Sequence, residues 1–281
     1  MHLSTDGTRA DSDPEPGPLP GAEVAHALRR HRLTLRWSAL ALGCAVLLGG
    51  LLALVENHWG PLARVDLGWT SGLHRFARAH TAWTASMQTL TDIGGPLTMR
   101  ILLALAALWL WAIGARTLAG WAAAQALVGW LADQVGKAVV DRARPHFVDP
   151  VSQASGSAFP SGHALAAAVT CAVLVVLVWP QADRTGRIVA CAVAALATLT
   201  VGWTRVALGV HWPSDVLAGW LTAGVVLGGV TVLTELWRPG ALARDVRRVN
   251  WRTRPRVQRA LASPDELDDP DEPDELESDE Q

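Results

Sequence analysis

Six apolar runs, each about 18–20 residues long, dominate this chain. They lie near residues 37–56, 97–115, 117–136, 161–179, 186–203 and 214–236 of 281. A helix of that length spans a bilayer's hydrocarbon core, so the runs read as membrane spans rather than as the core of a soluble domain. Only Arg116 separates the second run from the third, which predicts an antiparallel helical hairpin. Cys44, Cys171 and Cys191 all fall inside predicted spans, so no disulfide framework is expected. The stretch LALGC at 40–44 has the look of a lipidation site, but the apolar run begins late and continues past Cys44, as in an ordinary first span.

Charge is segregated along the chain. Eleven of the 26 carboxylates lie in the last 19 residues, a proline-punctuated acidic stretch that cannot bury enough apolar surface to fold alone. Basic residues flank the first span (Arg29, Arg30, Arg32, Arg36), follow the sixth (Arg238 to Arg259) and occupy the loops at Arg116 and Arg184–Arg187. With six spans these segments share one side, which the positive-inside rule assigns to the cytoplasm together with both termini. The expected organisation is a disordered N-terminus (1–28), a six-span domain (29–237), a basic segment (238–262) and an acidic tail (263–281). The basic segment reads as a topology anchor and, on a second reading, as a surface for anionic lipid. No aromatic platform accompanies its arginines, so nucleic acid is not an expected partner. Abundant Arg and Ala beside a single Lys suggest a GC-rich bacterial genome.

Three polar islands fall on the opposite side. GKAVVDRARPHF (136–147) holds Lys137, the only lysine against 23 arginines, with Arg142 and Arg144. A compact ammonium suits a different geometry from a planar guanidinium, although a snorkelling lysine at a helix end is common. SAFPSGHALAAA (157–168) puts Ser161, Gly162 and His163 where a helix begins, with free N–H groups and the positive dipole end to hold an anion. Its plainer reading is a turn whose serine caps the helix. WTRVALGVHWPSDVLAG (203–219) holds Arg205, His211 and Asp215. If helical, the four-residue spacing puts His211 and Asp215 on one face, where a carboxylate prepares an imidazole as nucleophile or base. Cations and backbone donors together imply a tetrahedral oxyanion, foremost phosphate, and two histidines supply a nucleophile and an acid for ester cleavage.

The spacings Lys137-(six residues)-Arg144-Pro145, Pro160-Ser161-Gly162-His163 and Arg205-(five residues)-His211-(three residues)-Asp215 resemble the three signature motifs of the type 2 phosphatidic acid phosphatase superfamily. The motifs and the spans between them cover about residues 92–235. One departure is Thr204 before Arg205, where the family often has serine; the hydroxyl is kept. The resemblance implies an all-α, integral-membrane six-helix bundle with its site near the extracytoplasmic surface. It implies that Lys137, Arg144, Arg205, Ser161 and the Gly162 N–H hold phosphate. His211, oriented by Asp215, would attack phosphorus to form a phosphohistidine, and His163 would protonate the leaving alkoxide and then activate water. No metal or cofactor is implied, since fixed cations supply the charge stabilisation. Arg142 stands outside the matched positions, as a possible supporting or headgroup contact.

The expected activity is hydrolysis of a membrane lipid phosphate or diphosphate, with phosphatidate, phosphatidylglycerophosphate and undecaprenyl diphosphate as candidate substrates. Headgroup transfer to an alcohol and a non-catalytic anion channel or transporter are the alternatives. Gln125, Asp133 and Gln134 read as packing groups or functional groups of the third span, and Asp133 is spaced to hold Lys137. Residues 57–96 read as a connection with an interfacial helix.

Overall fold

The computed structural model describes residues 20–249, and among them every regular element is a helix. In chain order these are α1 (Pro20–Glu56), α2 (Gly60–Ala79), α3 (Thr81–Ile93), α4 (Pro96–Ala112), α5 (Arg116–Val140), α6 (Gly162–Val178), α7 (Arg184–Ala207), α8 (Pro213–Trp237) and α9 (Ala241–Val249). All six predicted runs fall on helices: α1 and α4 to α8. Among the described residues, four stretches are long and apolar enough to cross a membrane, Arg30–Glu56, Thr81–Ala112, Arg184–Ala207 and Pro213–Trp237. The second of these includes α3 and α4, broken at Gly94-Gly95 ahead of Pro96. The apolar α6 is shorter, at 17 residues. α5 carries Gln125, Asp133, Gln134 and Lys137 and packs against α4, α6, α8 and α9, which bury Gln125 and Asp133 in protein while Gln134 stays exposed.

Two expected boundaries move. The helix holding the first span starts at Pro20, so residues 20–28 extend a helix rather than belonging to a disordered N-terminus. Part of the basic segment folds as α9, which returns to the bundle: Asp245 accepts from the N–H groups of Thr117 (2.8 Å) and Leu118 (3.1 Å) in the first turn of α5. A carboxylate there satisfies donors that a helix start leaves open and meets the positive dipole end. Arg248 donates to the Gly114 carbonyl at 2.8 Å, closing the same end. Residues 1–19, Arg252 to Arg259 and the acidic tail lie outside the described residues.

α1 runs antiparallel to α8. Its early part meets Gly224 and Gly228, and Leu51 and Val55 near its end cluster with Phe159 and Ala218. A Cβ at Gly228 would stand 2.6 Å from the Trp37 carbonyl and 2.8 Å from the Ala41 Cβ. Glycine therefore sets this close crossing. Large apolar side chains such as Leu42, Val46, Leu105, Leu108, Leu196 and Leu233 point outward, which suits lipid rather than water as the surrounding phase.

The bundle has two unlike ends. One holds the turns Arg116 and Arg184–Arg187 follow, the start of α1, and α9. The other holds the end of α5, the 141–161 loop, the start of α6, the end of α7 and the start of α8, with α2 and α3 laid across it. Arg78–Asp149 (3.0 Å), Ser152–Gln88 (3.2 Å) and Arg205–Thr91 (2.8 Å) tie that covering to the loops and helix ends beneath.

Candidate active site

His211 arrives at the site through the turn that ends α7. Gly209 N–H bonds the Val206 carbonyl (2.9 Å) and Val210 N–H bonds the Arg205 carbonyl (3.2 Å), the paired bonds of a Schellman ending. Gly209 has φ +67°, a left-handed conformation that glycine adopts without cost, and its Cα faces the Phe147 ring. The chain then turns into α8 with Pro213 in the first turn, where its missing N–H is no loss. Asp215 reaches back to the Trp212 N–H at 2.8 Å, half of a capping box.

His211 is buried, at 2% exposure. Its Nδ1 stands 2.8 Å from the Ala158 carbonyl, an acceptor only, so Nδ1 carries the proton. Nε2 then carries the lone pair, which accepts from Arg144 Nη1 at 3.0 Å. Burial, followed by the positive charges of Arg144 and Arg205, holds the imidazole well below its ordinary pKa, against the opposing pull of the Ala158 bond. The ring is therefore neutral at physiological pH and presents Nε2, the state a nucleophile requires.

The expected His211–Asp215 pairing takes a different form. Asp215 Oδ2 is 3.6 Å from Nδ1, within ion-pair range but longer than a hydrogen bond. The backbone of Ala158 orients the ring, and Asp215 spends its oxygens on Trp212 N–H and on Arg142 Nη1 (2.6 Å). The sequence spacing implied a shared helical face, but α8 begins only at Pro213, which leaves His211 on the preceding turn.

Arg144 is engaged more fully than a free anion clamp. It donates to the carbonyls of Gly156 (2.9 Å), Val210 (2.8 Å), Ser155 (3.2 Å) and Ser157 (3.1 Å). It thus braces the 155–157 loop against the His211 turn while keeping Nη1 beside Nε2.

Ser161 occupies the N-cap position of α6 but makes no side-chain cap bond, and its buried Oγ has no protein partner. Pro160 precedes the helix. Gly162 and His163 open α6, where the first N–H groups have no intrahelical acceptor. A Cβ on Gly162 would stand 2.8 and 3.0 Å from the two Asp133 carboxylate oxygens, so glycine lets α5 and α6 close. Asp133 in turn holds Lys137 Nζ at 2.8 Å and accepts from Gln134 at 3.1 Å. Lys137 remains partly exposed, with two further donors. Arg205 is buried; Nη1 donates to Thr91 Oγ1, and its Nε is unpaired.

The structure therefore gathers Lys137, Arg144, Ser161, Gly162, His163, Arg205, His211 and Asp215 at one end of the bundle. It adds residues that sequence reading passed over. Thr91 and Asp92 at the end of α3 flank Arg205, and Asp66 of α2 joins Arg142 to Ser214. The available signal was the stripe Asp66, Thr70, His74 and Ala77, spaced four, four and three apart, which is one face of a helix and is buried.

Residues 114–239 match the model of the PAP2 superfamily. An undecaprenyl-diphosphatase of Sulfolobus acidocaldarius is 36% identical over 93 residues, 31% of this chain and 41% of that protein. The aligned stretch thus spans about two-fifths of that relative. The fold resembles the crystal structure of the transmembrane PAP2 type phosphatidylglycerolphosphate phosphatase from Bacillus subtilis, with a TM-score of 0.55 at 20% identity, covering 72% of this chain and 98% of the other. Together with the apolar helices, these likenesses make the chain a multi-pass membrane protein.

Proposed function

We propose, from the match of residues 114–239 to the PAP2 superfamily model, that the protein is a membrane phosphatase hydrolysing a lipid phosphate or diphosphate through a phosphohistidine on His211. The observation that carries this reading is the state of His211: neutral, buried, its Nδ1–H held by Ala158 and its Nε2 lone pair unprotonated and directed at Arg144 Nη1.

Nε2 attacks phosphorus with its lone pair, and the bond from phosphorus to the leaving oxygen breaks with its electrons going to that oxygen. His163, at the start of α6, donates the proton that oxygen needs. The ring becomes cationic on bonding phosphorus, and Asp215 at 3.6 Å stabilises that charge. Water then loses a proton to His163 and attacks phosphorus, and the nitrogen–phosphorus bond breaks to return the pair to Nε2. Lys137, Arg144, Arg205, Ser161 Oγ and the first N–H groups of α6 hold the phosphate oxygens throughout. Fixed cations of this kind make the reaction metal-independent.

The basic residues by the start of α1, the α4–α5 turn, the α6–α7 turn and α9 gather at the opposite end, which supports an extracytoplasmic site with cytoplasmic termini. That side favours a lipid-carrier diphosphate over phosphatidate, in line with the name of the sequence relative.

Purified protein in detergent is expected to release inorganic phosphate from undecaprenyl diphosphate and phosphatidate in excess EDTA, and His211→Ala is expected to abolish release. Folded protein that releases phosphate from neither lipid would sink the reading. Transfer of the phosphoryl group to an added alcohol instead of water, read by mass analysis, would redirect it to headgroup transfer.

A further inference from the structure

Asp66 is a buried carboxylate on α2, outside residues 114–239, and it reaches the site through Ser214 and Arg142. Its Oδ1 accepts from the Ser214 N–H at 3.0 Å. Its Oδ2 accepts from Ser214 Oγ at 2.6 Å and from Arg142 Nη2 at 2.9 Å. Arg142 turns its other terminal nitrogen, Nη1, to Ser214 Oγ (2.7 Å) and Asp215 Oδ1 (2.6 Å). The guanidinium thus bridges two buried carboxylates, with the face of Trp212 5.7 Å from its centre. Ser214 and Asp215 both sit in the first turn of α8, which carries the chain away from His211.

A carboxylate buried at 2% exposure costs several kcal/mol unless it is paired and hydrogen-bonded. Asp66 meets that condition, with three donors on two oxygens. Simple packing of α2 would be served as well by an apolar residue, so the buried charge calls for an account of its own.

We infer that Asp66 is a positioning residue for the phosphohistidine step, acting through Arg142 on the Asp215 carboxylate behind His211. The inference rests on the phosphatase reading. Charge counting gives the reason. Two carboxylates and one guanidinium leave one negative charge uncompensated, and Asp215 Oδ2 is the oxygen nearest the His211 ring. When Nε2 bonds phosphorus the ring becomes cationic, and a negative charge fixed beforehand in a water-poor site stabilises it most. Without the Asp66 charge, Arg142 neutralises Asp215 alone and that stabilisation falls. Asp66 also fixes the planar fork of Arg142, so that Nη1 rather than Nη2 faces Asp215.

The same helix braces the site a second time. His74, two turns further along α2, stacks on Phe147 at 3.8 Å between ring centroids and 9° between planes. Phe147 packs over Gly209, two residues before His211. α2 therefore spans both approaches to the nucleophile, from Ser214 on one side and Gly209 on the other.

The test uses the full chain in detergent micelles with a short-chain phosphatidate. Asp66→Asn keeps the shape and removes the charge; Asp66→Glu keeps the charge. Asp66→Asn is expected to lower kcat for phosphate release by about 10- to 100-fold, the usual effect of losing a group that supports a reacting one, with KM within about twofold and little change in Tm. Asp66→Glu is expected to recover part of kcat. Orthovanadate, whose five-coordinate form mimics phosphoryl transfer, is expected to raise the Tm of the wild type more than that of Asp66→Asn. A kcat for Asp66→Asn within about twofold of wild type would overturn the inference. So would a parallel fall of kcat and Tm that Asp66→Glu does not relieve, the mark of a purely structural role. Absence of phosphate release by the wild type would overturn the phosphatase reading by itself. In that case a smaller vanadate shift in Asp66→Asn supports the positioning role, and equal shifts overturn it.

Discussion

The Nδ1 of His211 lies 2.8 Å from the carbonyl oxygen of Ala158, and this one contact decides which nitrogen of the ring can react. Ala158 belongs to the loop leading into α6, and its own N–H bonds the Arg142 carbonyl at 2.8 Å. His211 is thus oriented by backbone from the 141–161 loop, between the first and second motifs, while Asp215 in the third lies at ion-pair distance.

His211→Ala removes the oriented Nε2 lone pair beside Arg144. Phosphate release is expected to fall by at least about 10³-fold, with Tm little changed. Rapid quench in alkaline detergent with ³²P-labelled substrate should trap a base-stable, acid-labile phosphoenzyme in the wild type and none in the variant. An undiminished phosphoenzyme in His211→Ala would assign the nucleophile elsewhere.

The depressed pKa of His211 makes a pH prediction with a definite sign. The unfolded imidazole protonates near pH 6.5, whereas the folded one resists protonation until well below it. This contribution to stability is present above the unfolded value and is lost as pH falls, by at most about 1.4 kcal/mol per pH unit. Activity follows the same logic: the acid limb of kcat/KM that belongs to the nucleophile lies below pH 6.5. Tm against pH for wild type and His211→Gln measures the first, and the variant should show a shallower acid-side decline. Equal slopes would count against a buried neutral ring.

Gly162→Ala puts a methyl group against the Asp133 carboxylate, whose oxygens would be 2.8 and 3.0 Å away. That carboxylate is held by Lys137 and Gln134, so it gives way only by releasing them or by moving α6 off α5. The expected cost is about 1–3 kcal/mol in stability. KM is expected to rise as well, because Lys137 and the first N–H groups of α6 shift together. Wild-type kinetics in Gly162→Ala would show that this approach has no part in substrate binding.

Gly228→Leu tests the opposite end of the bundle. The α1–α8 crossing there leaves no room for a side chain, with the Trp37 carbonyl 2.6 Å from the site of a Cβ. Tm is expected to fall, by an amount equivalent to about 1–3 kcal/mol or more, with KM unchanged for the protein that remains folded. A changed KM at unchanged Tm would mean that this crossing communicates with the site.

What the sequence determined by itself is whatever its local order encodes. Apolar runs of membrane length mark the helices, because bilayer thickness imposes a length on every span. The lone Lys137, the Pro-Ser-Gly-His start of α6 and the Arg-His-Asp spacing mark the site, because the anion-binding chemistry of helix starts and cations is written in short stretches. Tertiary structure alone decided the partners. The Ala158 carbonyl is 53 residues from His211, and Asp66 is 148 from Ser214. Asp66 lies in a segment that reads as a connection, with no motif around it. The same limit explains Asp215, whose spacing from His211 suggested a helical pair. The helix start at Pro213 moved the ring onto the preceding turn, and the Trp212 N–H claimed the oxygen facing it. A buried carboxylate takes whichever donors folding brings within reach, and sequence order carries no distance between segments that meet only when the bundle closes.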